Sequence, residues 1–279
     1  MDPIQLSPGA RVHLHACGEE GIFVNAYLVE TDSGVVAVDA TLTVSTGRAL
    51  RARLEALGKP LLGVLVTHPH PDHVAGLAEL VSDDALPIFA TDPVVALMRR
   101  LEAPKRAQWG PVFKDEWVPR WRYPNRIVAD GEVVTLGGVA FRVHDLGRGG
   151  DSDANAMWVA AEAAFVGDLV FDGVHAYLAD GGVLAWLANL ERVARMGLAR
   201  LFPGHGPPGA PAELIPRQRD YLLAYAAHVK ELAGGRGALD DAGRAELARR
   251  MDAHRPGAGL AFLVGMSADA VAAELARGG

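Results

Sequence analysis

Residues 67 to 73 read THPHPDH: three histidines and an aspartate in seven positions, with a proline after each of the first two histidines. A proline ring crowds the backbone before it, so His68 and His70 are held away from the helical region and toward extended backbone. Side chains two apart on an extended segment leave the same face at a spacing of roughly 6–7 Å, so two imidazoles placed this way can converge on one ion. The apolar run LLGVLV before the motif reads as a buried strand and VAGLAELV after it as a helix. Asp72 and His73 then fall at the helix entrance and face a different direction. One pair for one ion and a second pair for its neighbour suits a two-metal site, whose ions stand about 3.5–4 Å apart. A competing role for Asp72 is that of N-cap to the following helix.

The whole chain bounds what such a motif could serve. With 279 residues, half of them hydrophobic, it is long enough for one large domain or two small ones around a substantial core. A formal net charge of −7, with lysine and arginine scattered, argues against a surface that tracks phosphates, so no nucleic-acid partner is expected. Cys17 is the sole cysteine, which rules out an intramolecular disulfide or a thiolate cage and points to a reducing compartment. No basic start followed by an apolar stretch opens the chain, and no run reaches the ~18 apolar residues of a spanning helix. A cytoplasmic protein without a membrane partner is the expectation.

The positioning elements can be read in order. RVHLHA, IFVNAYLVE and GVVAVDA are short β-type runs separated by turn chemistry such as TDSG, and suggest a meander. TVSTGRALRARLEALG carries Leu50, Leu54 and Leu57 at helical spacing with Gly58 as a cap, and LLGVLVT returns to a strand. LPIFAT and the helical PVVALMRRLEA come next, then PKRAQWGPVFKDEWVPRWRYPNR, which fits no clear period. A second β-rich half runs through RIVADGEVVTLGGVAFRVHDLG and AMWVAAEAAFVGDLVF to the helix VLAWLANLERVARMG and the strand ARLFPGHG. From Pro211 onward the pattern is helical, with Ser267 as N-cap of ADAVAAELARGG.

Two further spots could complete the site: Asp168 after the apolar strand in AAFVGDLVF, and His205 in the glycine- and proline-punctuated RLFPGHGPPG. H-x-H-x-D-H at a strand end, an aspartate in a GD turn and a last histidine in GH, in this order over roughly residues 11 to 207, resemble the metallo-β-lactamase superfamily. The opening VNAYLVETDSGVVAVDA is similar to that family's first strands, with Asp39 in the place of an aspartate that supports the histidine loop. The resemblance implies an α/β fold, an αββα sandwich with the site along its sheet edges. It implies one metal at His68 and His70, another at Asp72, His73 and His205, and Asp168 bridging both. The family's middle histidine is missing: Gly147 and Arg148 stand there, and guanidinium cannot ligate. Asp151, Asp153 and His144 are the substitutes. Asp151 is favoured, since it follows the Gly149-Gly150 turn at nearly the expected distance and a carboxylate can replace imidazole. His175, seven residues past Asp168, is read as substrate-facing, as a supporting residue or as a partly exposed loop histidine.

The expected domains are residues 1–210, the metallo-β-lactamase-like part, and 211–279, a helical extension packed on it. The expected cofactors are two divalent ions, zinc first, with manganese or iron as alternatives. The implied function is hydrolysis by metal-bound hydroxide of a small-molecule ester, lactone, thioester or amide, with Asp72 and Asp168 orienting the hydroxide and taking its proton. An iron-dependent redox member and, behind it, a phosphodiesterase or nuclease are the alternatives. The partner is a small-molecule substrate, and a homodimer is compatible with the sequence. Trp109, Phe113, Trp117, Trp121 and Tyr123 either line the mouth of the site or plug the packing between the sandwich and the C-terminal helices.

Overall fold

Valine-rich runs alternate with glycine turns at the start of the chain, and they form β1 (Ile4–Ser7), β2 (Ala10–Ala16), β3 (Asn25–Glu30) and β4 (Val35–Val38), an antiparallel meander. The structure, a computed structural model, describes residues 2–180 and 182–277. β3 starts three residues later than its apolar run, because Ile22 and Phe23 take positive φ values after a short 3-10 turn. Helix α1 (Val44–Ala56) follows. Thr43 and Thr46 exchange side-chain and backbone hydrogen bonds at its start, and Gly58 takes φ +65° just past its end. The crossover makes β5 (Leu61–Leu65) parallel to β4.

The helix expected after the histidine motif is two short helices, α2 (Pro71–Val74) and α3 (Leu77–Leu80). They part at Gly76, whose N–H donates to Thr41 O at 2.6 Å and where a Cβ would lie 2.6 Å from Thr41 Oγ1. β6 (Ile88–Thr91) and α4 (Asp92–Phe113) come next. α4 runs ten residues into the stretch that showed no period. Leu101, Lys105, Trp109 and Phe113 recur every four residues along it, but a lysine in the apolar row and Pro104 and Pro111 mask the pattern. All five aromatic residues from Trp109 to Tyr123 are buried in, or packed against, the core that α1 and α4 share with the sheet, a core that holds no residue of the C-terminal helices they were expected to plug against. β7 (Arg126–Val128) completes a seven-stranded sheet in the order β1 to β7.

β8 (Val133–Leu136), β9 (Val139–Gly147), β10 (Asn155–Ala160) and β11 (Ala163–Phe171) pair antiparallel. α5 (Val183–Ala194) leads to β12 (Arg200–His205), which closes a second sheet in the order β12-β11-β10-β9-β8. The rest is α6 (Pro211–Ala233), α7 (Asp241–His254) and α8 (Phe262–Arg277). Ser267 is not an N-cap: it lies inside α8, fully buried, and its Oγ accepts from Leu178 N at 2.8 Å. The two glycines that end that stretch lie outside the described residues. No described helix is long and apolar enough to cross a membrane.

The chain divides into two units, Met1–Gly147 with Ala154–Gly167, and Arg148–Asp153 with Asp168–Gly279. In the first, every residue of β3 and β4 is buried, and alternation along the strand sorts them. Ala26 and Leu28 join the core beneath α1 and α4, while Tyr27 meets Phe165 of the second sheet edge to face, ring centres 5.4 Å apart. Trp158 is wholly buried and donates from Nε1 to Val66 O at 3.0 Å, tying β10 to the end of β5. In the second unit, Trp186 of α5 donates from Nε1 to Leu169 O at 2.7 Å, and the Glu274 carboxylate of α8 accepts from Gly182 N and Val183 N at the start of α5.

Candidate metal centre

β5 ends at Leu65, and residues 66–70 belong to neither strand nor helix before α2 begins. His70 has φ −68° and ψ 148°, the conformation that Pro71 imposes on it. The His68 and His70 rings stand 5.0 Å apart and those of His68 and His73 4.1 Å apart. His70 occupies the N-cap position and Pro71 the first helical one, so Asp72 is in the first turn and is not the cap. Its Oδ2 lies 3.5 Å from His73 Nε2. All four side chains are buried.

One carboxylate organises this group. Asp39 sits at the end of β4 with φ +57° and accepts from Thr67 N at 2.7 Å, Thr67 Oγ1 at 2.6 Å and His73 Nδ1 at 2.9 Å. The proton of His73 is thereby held on Nδ1, and the lone pair of the neutral ring is on Nε2. Because Thr67 gives its hydroxyl proton to Asp39, its oxygen can only accept from His68 Nδ1, 3.0 Å away. The Nε2 lone pair of His68 is set the same way. Asp39, His68 and His73 carry donor atoms within 4.8 Å of one another, but the Asp39 oxygens serve Thr67 and His73 Nδ1, so Asp39 orients the two imidazoles. Thr67, adjacent in sequence to the histidines, links Asp39 to His68 and was not singled out by the motif; a hydroxyl beside a histidine was its signal. Gly167 takes φ +49°, and a Cβ there would lie 2.5 Å from Thr67 Oγ1 and 3.2 Å from His68 Nδ1. Only glycine lets β11 approach the histidine loop so closely.

Cys17 keeps its proton, since burial pushes its pKa up to about 12, with Glu20 and Asp72 adding to the effect.

In the second unit, Asp168 lies in the buried β11 and His205 ends β12, with Asp168 Oδ2 3.4 Å from His205 Nε2. The His205 ring stacks on Phe171, centres 5.0 Å apart and planes 7° from parallel. Asp151 is buried, on a segment that α5 holds: Asn189 Nδ2 donates to Gly149 O at 2.9 Å, and a Cβ at Gly149 would meet Ala185 O at 2.8 Å. Asp153 is exposed and pairs with Arg148 Nε at 3.2 Å, while Arg148 also donates to Asp180 O. In the first unit His144 is half-buried on β9, opposite Met157. His175 is not an exposed loop histidine: it is 1% exposed, its Nδ1 lies 3.1 Å from the Tyr221 hydroxyl, and burial lowers its pKa.

The donors gathered in the two units are buried imidazoles and carboxylates without thiolate, a set that suits zinc, manganese or iron. Imidazoles already fixed with Nε2 as the basic nitrogen fit such an ion. The sequence model of the metallo-beta-lactamase superfamily matches residues 20–205. The chain belongs to that superfamily. It is 26% identical over 197 residues to the beta-lactamase-like protein 2 homolog of Caenorhabditis elegans, covering 66% of this chain and 56% of that protein. It is 27% identical over 155 residues to the hydroxyacylglutathione hydrolase of Shewanella baltica, covering 54% and 50%. The chain thus spans about half the length of these curated relatives. A metallo-beta-lactamase family protein from Thermus thermophilus superposes with a TM-score of 0.67 at 22% identity, covering 98% of this chain and 95% of that one. The α/β architecture, with two sheets and a helical C-terminal part, is the fold of the superfamily.

Proposed function

We propose that the protein is a metal-dependent hydrolase of small-molecule esters, lactones, thioesters or amides, with two divalent ions, zinc foremost, as its cofactors. His68, His70 and Asp151 would hold one ion, Asp72, His73 and His205 the other, and Asp168 both. The observation that carries this reading is the Asp39–Thr67 network, which presets Nε2 of His68 and His73 as ligand nitrogens before any ion arrives. Burial of all seven side chains supports it, as does the placement of Asp168 directly after Gly167, the glycine packed on Thr67 and His68. The exposed ion pair of Asp153 with Arg148 favours Asp151 as the substitute for the missing histidine. Bound in such a site, a divalent pair supplies Lewis acidity toward a carbonyl oxygen and lowers the pKa of water to near neutrality. The carboxylates of Asp72 and Asp168 orient the attacking water and accept its proton. The match to a hydroxyacylglutathione hydrolase supports hydrolysis of an acyl bond as the reaction class.

The test is elemental analysis of metal-replete protein together with a panel of lactone, thioester and phosphodiester substrates. About two metal equivalents, and turnover of an acyl substrate that chelation removes and zinc or manganese restores, are expected. Stoichiometry well below one, or turnover indifferent to chelation, overturns the reading.

A further inference from the structure

One cavity of the second unit takes no part in this chemistry. It holds about 210 Å³ and is walled by Phe171, Asp172, Arg217, Gln218, Tyr221 and Arg255, among others. That volume is below the roughly 300–1,000 Å³ of sites for drug-sized ligands, so its occupant is an ion or a molecule of few atoms.

Gln218 is 1% exposed, and its Oε1 accepts from Phe171 N at 3.0 Å. This bond settles which way the amide faces, because the flipped form would set its NH2 against an N–H. Among the described residues, no acceptor lies within hydrogen-bond reach of Nε2. Buried donors without acceptors are costly and rare, so a donor held this way on a cavity wall calls for an oxygen inside the cavity. Two cations share the wall. Arg217 is tethered to Asp172 at 3.2 Å, and Arg255 to Asp220 at 2.9 Å and to Arg217 O at 3.0 Å. Each guanidinium has five N–H donors and these contacts use only some of them. Arg217 and Arg255 are each paired with one carboxylate, Asp172 and Asp220, so what the lining offers an anion is not excess charge but unused N–H donors, those of the two guanidiniums and of the buried amide.

We propose that this cavity binds a small oxyanion, the carboxylate or phosphate group of a small molecule, with Gln218 Nε2 and the guanidiniums of Arg217 and Arg255 donating to its oxygens. Phe171 lines the cavity and also stacks on His205, so an occupant braces the ring against which His205 rests. The proposal is independent of metal binding, since none of the three donors belongs to the proposed ligand set.

The test is a titration of the ¹⁵N-labelled full chain with inorganic phosphate and, separately, with acetate and malonate. The Gln218 side-chain amide signal is assigned by its loss in Gln218→Glu, and affinities are read by calorimetry. A saturable shift of that amide with at least one probe is expected, and the probe that acts tells phosphate from carboxylate. Gln218→Glu keeps an acceptor for Phe171 N–H but sets a carboxylate oxygen where the donor stood. Arg217→Ala changes only a surface side chain. Each should weaken binding about tenfold or more, the loss of one charge-assisted hydrogen bond, while Arg51→Ala on α1 should leave it unchanged. An unmoved Gln218 amide overturns the proposal, as does wild-type affinity in both variants. Anion binding lost in His70→Ala with the amide unmoved assigns the anion to the metal centre and likewise overturns it.

Discussion

Asp39→Asn is the sharpest probe of how the centre is prepared. Asparagine tolerates the positive φ of this position and has the shape of aspartate, so the backbone need not move. What changes is the supply of acceptors. The Asp39 carboxylate receives three donors, Thr67 N on one oxygen and Thr67 Oγ1 and His73 Nδ1 on the other. An amide offers one oxygen. If it faces Thr67 N, the NH2 opposes the His73 Nδ1 proton and pushes the proton to Nε2, the nitrogen needed for the ion. If it faces His73, the NH2 opposes a buried backbone N–H. Either way one buried donor loses its acceptor, at about 1–3 kcal/mol. The same disturbance of an outer partner should weaken metal binding about 10–100-fold, or about 1.4–2.8 kcal/mol. Competition of the protein with a chromophoric chelator for zinc measures the affinity, and a thermal melt of the metal-depleted protein separates folding from binding. Zinc affinity equal to that of the wild type in a folded Asp39→Asn variant would refute the tautomer argument and with it the main support for the centre.

Asp151→Asn should cut bound metal from about two equivalents to about one, while Asp153→Asn, at an exposed ion pair, should leave both; elemental analysis of the two variants decides. Glu30 is buried with Arg11 at 2.7 Å, His13 at 2.8 Å and Lys59 at 3.0 Å, and the Arg11 hydrogen bond foremost holds its carboxyl well below the usual range. A depressed folded-state pKa gives stability that is complete above the unfolded value of about 4.3 and is lost as pH falls below it. Glu30→Gln should therefore cost about 1–3 kcal/mol at pH 7, and the gap to wild type should shrink on acidification; urea melts at several pH values that show a constant gap contradict this. Gly76→Ala sets a methyl 2.6 Å from Thr41 Oγ1 and 2.8 Å from Thr41 N and O, and should destabilise by about 1–3 kcal/mol through overpacking, read by denaturant melts.

The clustering of the histidine motif at a strand end and the order of most elements were legible because they depend on local rules. Proline dictates the backbone of His70, two-residue alternation dictates which face a strand residue takes, and Thr43 with Gly58 bounds α1. Where reading failed, a partner distant in sequence decided the matter. Gly76 splits a helix because Thr41 lies against it, Lys105 sits in an apolar row because a long stem can be buried, and Ser267 turns inward to meet Leu178 N. The tautomers of His68 and His73 belong to the same class. Seven letters could announce imidazoles suited to a metal, but which nitrogen bears the proton depends on a carboxylate 34 residues from His73 and, through Thr67, 28 residues from the neighbour of His68. Such hydrogen bonds have no period along the chain. They exist only once β4 and β5 lie side by side, so the residue types of the centre belong to the sequence, and their orientation belongs to the fold.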